Sequence, residues 1–492
     1  MDQREQETRL LDGALFGVLV MSSLVFYWVA TRGTWNPLYE AQNSTTPLYF
    51  DKAHFFLAQA QALTHGRLWV QPSTLPGECW IRAQKCYGYF GLTPSILRLP
   101  LLPVLDHYKR GLTPVYLTAA LTLATGSFLA SLRRLLTDVL LARSTTILVC
   151  ITALGFGAAS VLTQLTPNSF YDEAIAWSVG FLSLSVYCVI RWWENQRLVW
   201  YALLLVSLVL AANARPTAVP FALIVGLGTG YRIWSTRTDG TPHRSRALWL
   251  SGALIALPMV TCLGVFYIKF RQPIPSQLLN QEIGGPLAIP AWLAVRSVDH
   301  NQLVSWRFIP TAMFAYLRPD GLTFNRVFPW VTFRFLGYYG NQVVTWLWLP
   351  PGALETEPVS SLSAAMPLSF LAFASAFVIA VTSRMRRSYD RKSQRLRALV
   401  TLEPGRRWSI VLLAAVVASW FVVLTGVDIS NRYLGDAYPM LALLLLLALP
   451  RLARAVERSG RLVTGTVATL VVCGIGWQLL VNIGLGWRNA VG

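Results

Sequence analysis

Apolar runs of roughly 17–25 residues, each long enough to cross a bilayer as a helix, recur along almost the whole chain. They predict about eleven spans, near Ala14–Ala30, Leu112–Ala130, Thr145–Leu165, Ile175–Ile190, Val199–Ala214, Thr217–Gly230, Leu248–Ile268, Ala365–Thr382, Ile410–Thr425, Tyr438–Leu449 and Leu462–Ile483. Leu92–His107 is also apolar, but Pro94, Pro100 and Pro103 interrupt it, which predicts a second surface or re-entrant element. A different pattern occupies Pro47–Gly66. Read as a helix opening at Asp51 and closing at Gly66, it places Ala53, Phe56, Leu57, Ala60 and Leu63 on one stripe and Asp51, His54, Gln61 and His65 on the other side. This predicts an amphipathic helix lying on the bilayer, apolar side down. Asp51 would begin it, where backbone amides and the helix dipole favour a carboxylate, either as a cap or as a reactive group. The fold class expected is all-α and polytopic. We read residues 1–492 as one transmembrane domain, with a first outer loop over 31–111 and a long outer loop over 269–361.

Composition agrees with that pattern. The 492 residues are 54% hydrophobic and 13% charged, with a mean hydropathy of +0.47, which leaves no stretch for a soluble domain of ordinary size. The net charge of +19 sits mostly between apolar runs. It therefore points to the lipid bilayer and to topology, and away from nucleic acid. The first span follows a mixed-charge start (Asp2, Arg4, Glu5, Glu7, Arg9) without a small-residue cleavage site, so it is read as retained.

With a cytoplasmic N-terminus, the basic connectors Arg133-Arg134 with Arg143, Arg191 with Arg197, Arg232 to Arg246, Arg384–Arg407 and Arg451 to Arg461 all fall inside. The loops Thr31–Gly111, Pro167–Tyr171, Asn213–Pro216, Lys269–Ser361 and Val427–Asp436 then share the opposite face. The protein is expected in a plasma membrane of bacterial type, with its chemistry on the exterior side. Cys150, Cys188, Cys262 and Cys473 lie in apolar runs, whereas Cys79 and Cys86 lie in the first outer loop and are expected to form a disulfide there. The long loop, rich in Trp, Tyr, Phe and Pro, is expected to pack at the membrane surface as short helices.

Several chemistries are excluded. The sequence has no GxxxxGK[ST], no GxGxxG after a strand, no HExxH, no CxxC pair and no GxSxG, and its five His are scattered. No cofactor is called for; a divalent metal stays open but is not indicated. Polar residues instead gather at the outer mouths of the spans: Asp51 and His54, Asp172 and Glu173, Arg215, Lys269 and Arg271, and Asp428, Asn431 and Arg432. Each is equally readable as a cap or a snorkelling side chain. Together, one or more carboxylates with several cations suit a lipid substrate bearing phosphate, the cations holding phosphate and a carboxylate taking a hydroxyl proton.

Three stretches carry a resemblance. They are Tyr49-Phe50-Asp51-Lys52-Ala53-His54 with Ala62-Leu63-Thr64-His65-Gly66-Arg67-Leu68-Trp69-Val70, then Tyr87-Gly88-Tyr89-Phe90-Gly91-Leu92-Thr93-Pro94-Ser95-Ile96-Leu97-Arg98-Leu99-Pro100, and Ala214-Arg215-Pro216-Thr217-Ala218. The pattern resembles the GT-C membrane glycosyltransferases that use polyprenyl-phosphate sugars, among them bacterial mannosyl- and arabinosyltransferases. The resemblance implies Asp51 as catalytic base and an inverting transfer from a polyprenyl-phosphate sugar donor to a hydroxyl on a glycan or glycolipid acceptor. His54, Asp172, Glu173, Arg215, Lys269, Arg271, Asp428, Asn431 and Arg432 would then contact the donor phosphate or the sugar. Many relatives have a second acid directly after the first, where this chain has Lys52. Two other readings stay open on the residues alone: a secondary transporter or lipid-linked sugar flippase, and an O-antigen polymerase or ligase using Arg296, His300, Arg307, Arg318, Arg326 or Arg334 in the long loop.

Overall fold

The computed structural model describes residues 3–38, 54–75, 80–108, 111–136, 149–155, 170–235, 243–271, 306, 309–328, 330–333, 360–367, 405–425, 437–439, 441–446 and 461–491. Its long helices are α1 (Gln3–Ala30), α5 (Thr113–Leu136), α6 (Phe170–Asn195), α7 (Leu198–Ala214), α8 (Val219–Ser235), α9 (His243–Phe270), α12 (Gly405–Leu424) and α13 (Arg461–Val491). Between them lie the short helices α2 (Phe55–Thr64), α3 (Thr93–Ile96), α4 (Leu102–Tyr108), α10 (Ile309–Leu317) and α11 (Leu362–Ala365). Two antiparallel hairpins complete the fold, β1 (Trp80–Arg82) with β2 (Lys85–Tyr87) and β3 (Leu322–Phe324) with β4 (Val331–Phe333). Among the described residues, Thr8–Ala30, Thr113–Leu136, Tyr171–Asn195, Leu248–Phe270 and Ala468–Leu485 are long and apolar enough to cross a membrane. Leu198–Ala214 and Val411–Leu424 are shorter apolar helices. The chain is an integral membrane protein.

Packing follows what a bilayer permits. Lipid offers no hydrophobic drive between helices, so close approach by small residues and a few hydrogen bonds hold them. α5 is the central contact, against α1 on one side and α6 on the other, and α6 continues to α7 and α12. A Cβ at Gly180 of α6 would lie 2.8 Å from the Ala120 carbonyl oxygen of α5, so this seam requires glycine. Ser23 of α1 and Thr122 of α5 share a hydrogen bond of 2.9 Å. Outward-facing side chains are apolar, as at Trp249 and Val260 of α9 and Leu470 of α13.

The two ends of the bundle differ in chemistry. At one end Arg133 pairs with Asp12 at 2.6 Å and Arg134 with Glu194 at 2.8 Å. Arg191 lies over Trp200, and Arg232 over Trp193. These contacts run α1 antiparallel to α5 and bring the ends of α5, α6 and α8 together. The opposite end receives Ala30, Thr113, Phe170, Arg215 and Phe270, with the first loop folded over it. The polar mouths of α6, α7 and α9 thus share one end, as the alternation of basic connectors requires.

The first-loop helix differs from expectation. α2 buries Phe55, Phe56, Leu57, Gln59 and Ala60 against protein, where Phe55 and Phe56 join Val70, Leu75, Cys86, Phe90 and Ala174. Its apolar side therefore faces the loop and α6, not lipid, because the downstream segment supplies a better-packed aromatic surface than acyl chains would. Gln61 and His65 are exposed as expected. Leu92–His107 is broken into α3, a 3₁₀ turn at Leu99–Leu101 and α4, with its prolines at the starts of turns. In the long loop, Phe324 packs on Trp477 of α13, and Tyr316 faces Trp420 of α12. Trp306, Phe328 and Trp330 remain exposed.

Candidate active site

The site is built around the ring of Phe90. Phe55 and Phe56, at the start of α2, pack edge-on to it with centroids 5.9 and 6.0 Å away. Tyr171, in the first turn of α6, meets the same ring at 5.2 Å. The beginning of α2, with His54 directly before it, is thus held against the beginning of α6, with Asp172 directly after Tyr171. Tyr89 lies against Phe90, with centroids 4.1 Å apart and the rings tilted by 33°, and is 6.1 Å from Tyr171. Tyr89, Tyr171 and His54 are half-buried, and Asp172 is buried.

Residues 88–98 are fixed to three membrane helices and to α2. Lys269, near the end of α9, is fully buried and donates from Nζ to the carbonyl oxygens of Gly88 (3.1 Å) and Phe90 (2.7 Å). Gly91 lies on the end of α7, where an added Cβ would come within 1.7 Å of the Asn213 carbonyl oxygen. Thr93 Oγ1 donates to the Leu210 carbonyl at 2.7 Å, and Ser95 Oγ donates to Gln59 Oε1 of α2 at 2.7 Å. Arg98 then reaches α6. Its Nη1 and Nη2 meet the two Glu173 oxygens at 2.5 and 2.8 Å, with both side chains at 0% exposure. The Arg98 Nε donates to Gly111 O and its Nη1 also to Pro94 O, while the guanidinium covers the Tyr116 ring at 4.1 Å. A charge pair so deeply desolvated persists only when its geometry and its remaining hydrogen bonds are satisfied, and here they are.

These contacts sort the residues expected at the site. His54, Asp172 and Arg215 are brought to the same end of the bundle; Arg215 follows α7 in extended conformation and is half-buried beside the Asn213–Gly91 contact. Glu173 and Lys269 depart from the expectation that they face a substrate. The carboxylate of Glu173 is engaged by Arg98, and the ammonium of Lys269 by two backbone carbonyls, because each is the nearest counter-group for an otherwise stranded polar atom. Arg271 is exposed just past α9, with positive φ, over the Tyr267 ring. Cys86 is disulfide-bonded, and Cys150, Cys188, Cys262 and Cys473 are free thiols. Asp51, Cys79, Asp428, Asn431 and Arg432 lie outside the described residues. The sequence reading assigned no role to Arg98. Its signal was a lone cation inside an apolar, proline-rich stretch, a position that demands a buried partner.

No family model and no curated protein matches the sequence. Solved structures do. The apo oligosaccharyltransferase of Archaeoglobus fulgidus superposes with a TM-score of 0.51 at 15% identity, over 97% of this chain and 56% of that one. The archaeal oligosaccharyltransferase AglB of the same organism, in complex with an inhibitory peptide and a dolichol-phosphate, gives 0.50 at 15% identity, over 96% and 56%. The chain spans little more than half the length of those proteins. At such identity the likeness is one of architecture: the chain shares the membrane-helical fold of those two structures.

Proposed function

We propose that the protein is an inverting membrane glycosyltransferase that moves a sugar from a polyprenyl-phosphate donor to a hydroxyl of a glycan or glycolipid acceptor, on the extracytoplasmic side. The observation that supports this most is the docking of the first loop. The segment that follows Asp51 is fixed to the mouths of α6, α7 and α9, which gathers His54, Asp172 and Arg215 where a lipid-borne substrate would enter from the leaflet. The likeness to an enzyme solved with dolichol-phosphate supports a lipid-phosphate donor.

In this reading Asp51 takes the proton of the acceptor hydroxyl as its oxygen attacks the anomeric carbon. The bond from that carbon to the phosphate oxygen breaks on the opposite face, and its electron pair leaves with the polyprenyl phosphate. A phosphate is a good leaving group, so a cation suffices to stabilise it and no general acid is required. Arg215 fills that role at the mouth of α7. Asp172 and His54 orient the sugar hydroxyls. Arg98, Glu173 and Lys269 hold the loop.

The test is transfer in proteoliposomes, using radiolabelled polyprenyl-phosphate mannose and arabinose with a glycolipid extract as acceptor. Asp51→Asn preserves shape while removing the base, and transfer should fall by roughly 10²–10⁴-fold with insertion unchanged. Undiminished transfer by that variant would move the base to Asp172 or Asp428. No transfer by the wild-type protein from any polyprenyl-phosphate donor would end the reading.

A further inference from the structure

The first hairpin carries a second feature that the proposed reaction does not use. Arg67 Cζ and Lys85 Nζ lie over the Trp69 ring, at 5.3 and 5.4 Å from its centroid. Arg82, which pairs with Lys85 across the hairpin, lies over Tyr87 at 5.4 Å. Val70 makes an isolated β-bridge to Cys86, which holds the neighbouring Trp69 beside the hairpin. Arg67, Arg82 and Lys85 thus form one aromatic-backed patch, and Arg271 directly follows Phe270, on which Trp80 and Tyr87 of the hairpin pack.

Two observations say what this patch meets. The first is its height. Trp80 and Tyr87 pack on Phe270, at 6.0 and 6.1 Å, and Phe270 closes the span Leu248–Phe270. Beside it Tyr267 and Ile268 are half exposed on the outward side of the same helix. The patch therefore sits where a span ends, at headgroup depth, where Trp and Tyr collect and Arg and Lys reach for phosphate.

The second is its charge balance. At the other end of the bundle Arg9, Arg133 and Arg134 have carboxylate partners, while Arg191 and Arg232 lie over Trp200 and Trp193. Among the described residues no carboxylate pairs with Arg67, Arg82, Lys85 or Arg271, and Arg67, Lys85 and Arg271 are exposed. From Lys52 to Leu105 the sequence has a single acid, Glu78. Arg67 and Lys85, each within 5.4 Å of the same ring centroid, repel one another, and an anion between them relieves that repulsion.

We propose that the hairpin patch of Arg67, Arg82 and Lys85, extended by Arg271, binds the phosphate headgroups of anionic phospholipids and seats the first loop on the leaflet. Each cation near an anionic bilayer surface contributes roughly 1 kcal/mol, so neutralising three should weaken binding roughly 100-fold. The probe is dioleoylphosphatidylglycerol, with dioleoylphosphatidylcholine as the zwitterionic control, added to detergent-solubilised protein and counted by native mass spectrometry. The variant carrying Arg67→Gln, Arg82→Gln and Lys85→Gln should lose the tightest class of phosphatidylglycerol and keep its phosphatidylcholine binding. The variant carrying Arg67→Lys, Arg82→Lys and Lys85→Arg keeps the charge and should keep both. Unchanged phosphatidylglycerol binding in the Gln variant, an equal loss of both lipids, or a loss shared by the charge-keeping variant would each overturn the proposal. The assay reads no sugar transfer, so its outcome is independent of the enzyme reading.

Discussion

Glu173→Gln should be among the most damaging single-atom changes available in this protein. The wild-type carboxylate accepts two hydrogen bonds from Arg98 inside a space with no solvent contact on either side chain. An amide of the same shape keeps one acceptor but turns an NH₂ group toward the guanidinium, leaving a buried positive charge without its counterion. Removing one partner of such a pair costs about 3–5 kcal/mol, a large share of the 5–15 kcal/mol that separates typical folded and unfolded states. Replacing both partners by apolar residues, Arg98→Met with Glu173→Leu, removes the stranded charge. It then leaves only the carbonyls of Pro94 and Gly111 short of a donor, at about 1 kcal/mol each. The double variant should therefore be more stable than Glu173→Gln alone, although it departs further from the native sequence. A thiol-reactive fluorophore reads this with native cysteines. Cys150, Cys188 and Cys262 are buried and label on unfolding, while exposed Cys473 sets the baseline. The midpoint for Glu173→Gln should drop by on the order of 5 °C. A single variant that melts with the wild type, or a double variant less stable than the single, would refute the reasoning.

Gly91→Ala forces a methyl group against the Asn213 carbonyl; neither backbone can yield cheaply, so folded yield in detergent should fall, with a cost of at least about 1–3 kcal/mol in the same melting assay. Lys269→Met keeps the aliphatic stem but leaves the Gly88 and Phe90 carbonyls without their donor; the expected destabilisation is about 1–3 kcal/mol, with faster amide exchange over residues 88–98 by mass spectrometry. Gln59→Leu removes the acceptor of the Ser95 hydroxyl between α2 and α3; about 1 kcal/mol should be lost, and the same exchange measurement should show α2 opening while the long helices stay protected.

The membrane character of the chain and the sidedness of its charge were legible in the sequence, because both depend on local composition. An apolar run of span length has few alternatives to a helix in lipid, and Arg133, Arg134, Arg191 and Arg232 fall at one end of the bundle simply because successive spans alternate in direction. The gathering of Asp172, Arg215 and the first loop at the other end followed from the same alternation. What each polar residue does there did not follow. Glu173 looked like its neighbour Asp172, yet one is spent on a cation 75 positions away, and Lys269 is spent on carbonyls about 180 positions away. The side on which α2 buries its aromatic rings was equally hidden, since a hydrophobic stripe fits lipid and protein alike. Partners at such separations are chosen by which atoms the packed helices bring within hydrogen-bond reach, and desolvation then compels a pairing that spacing along the chain does not record.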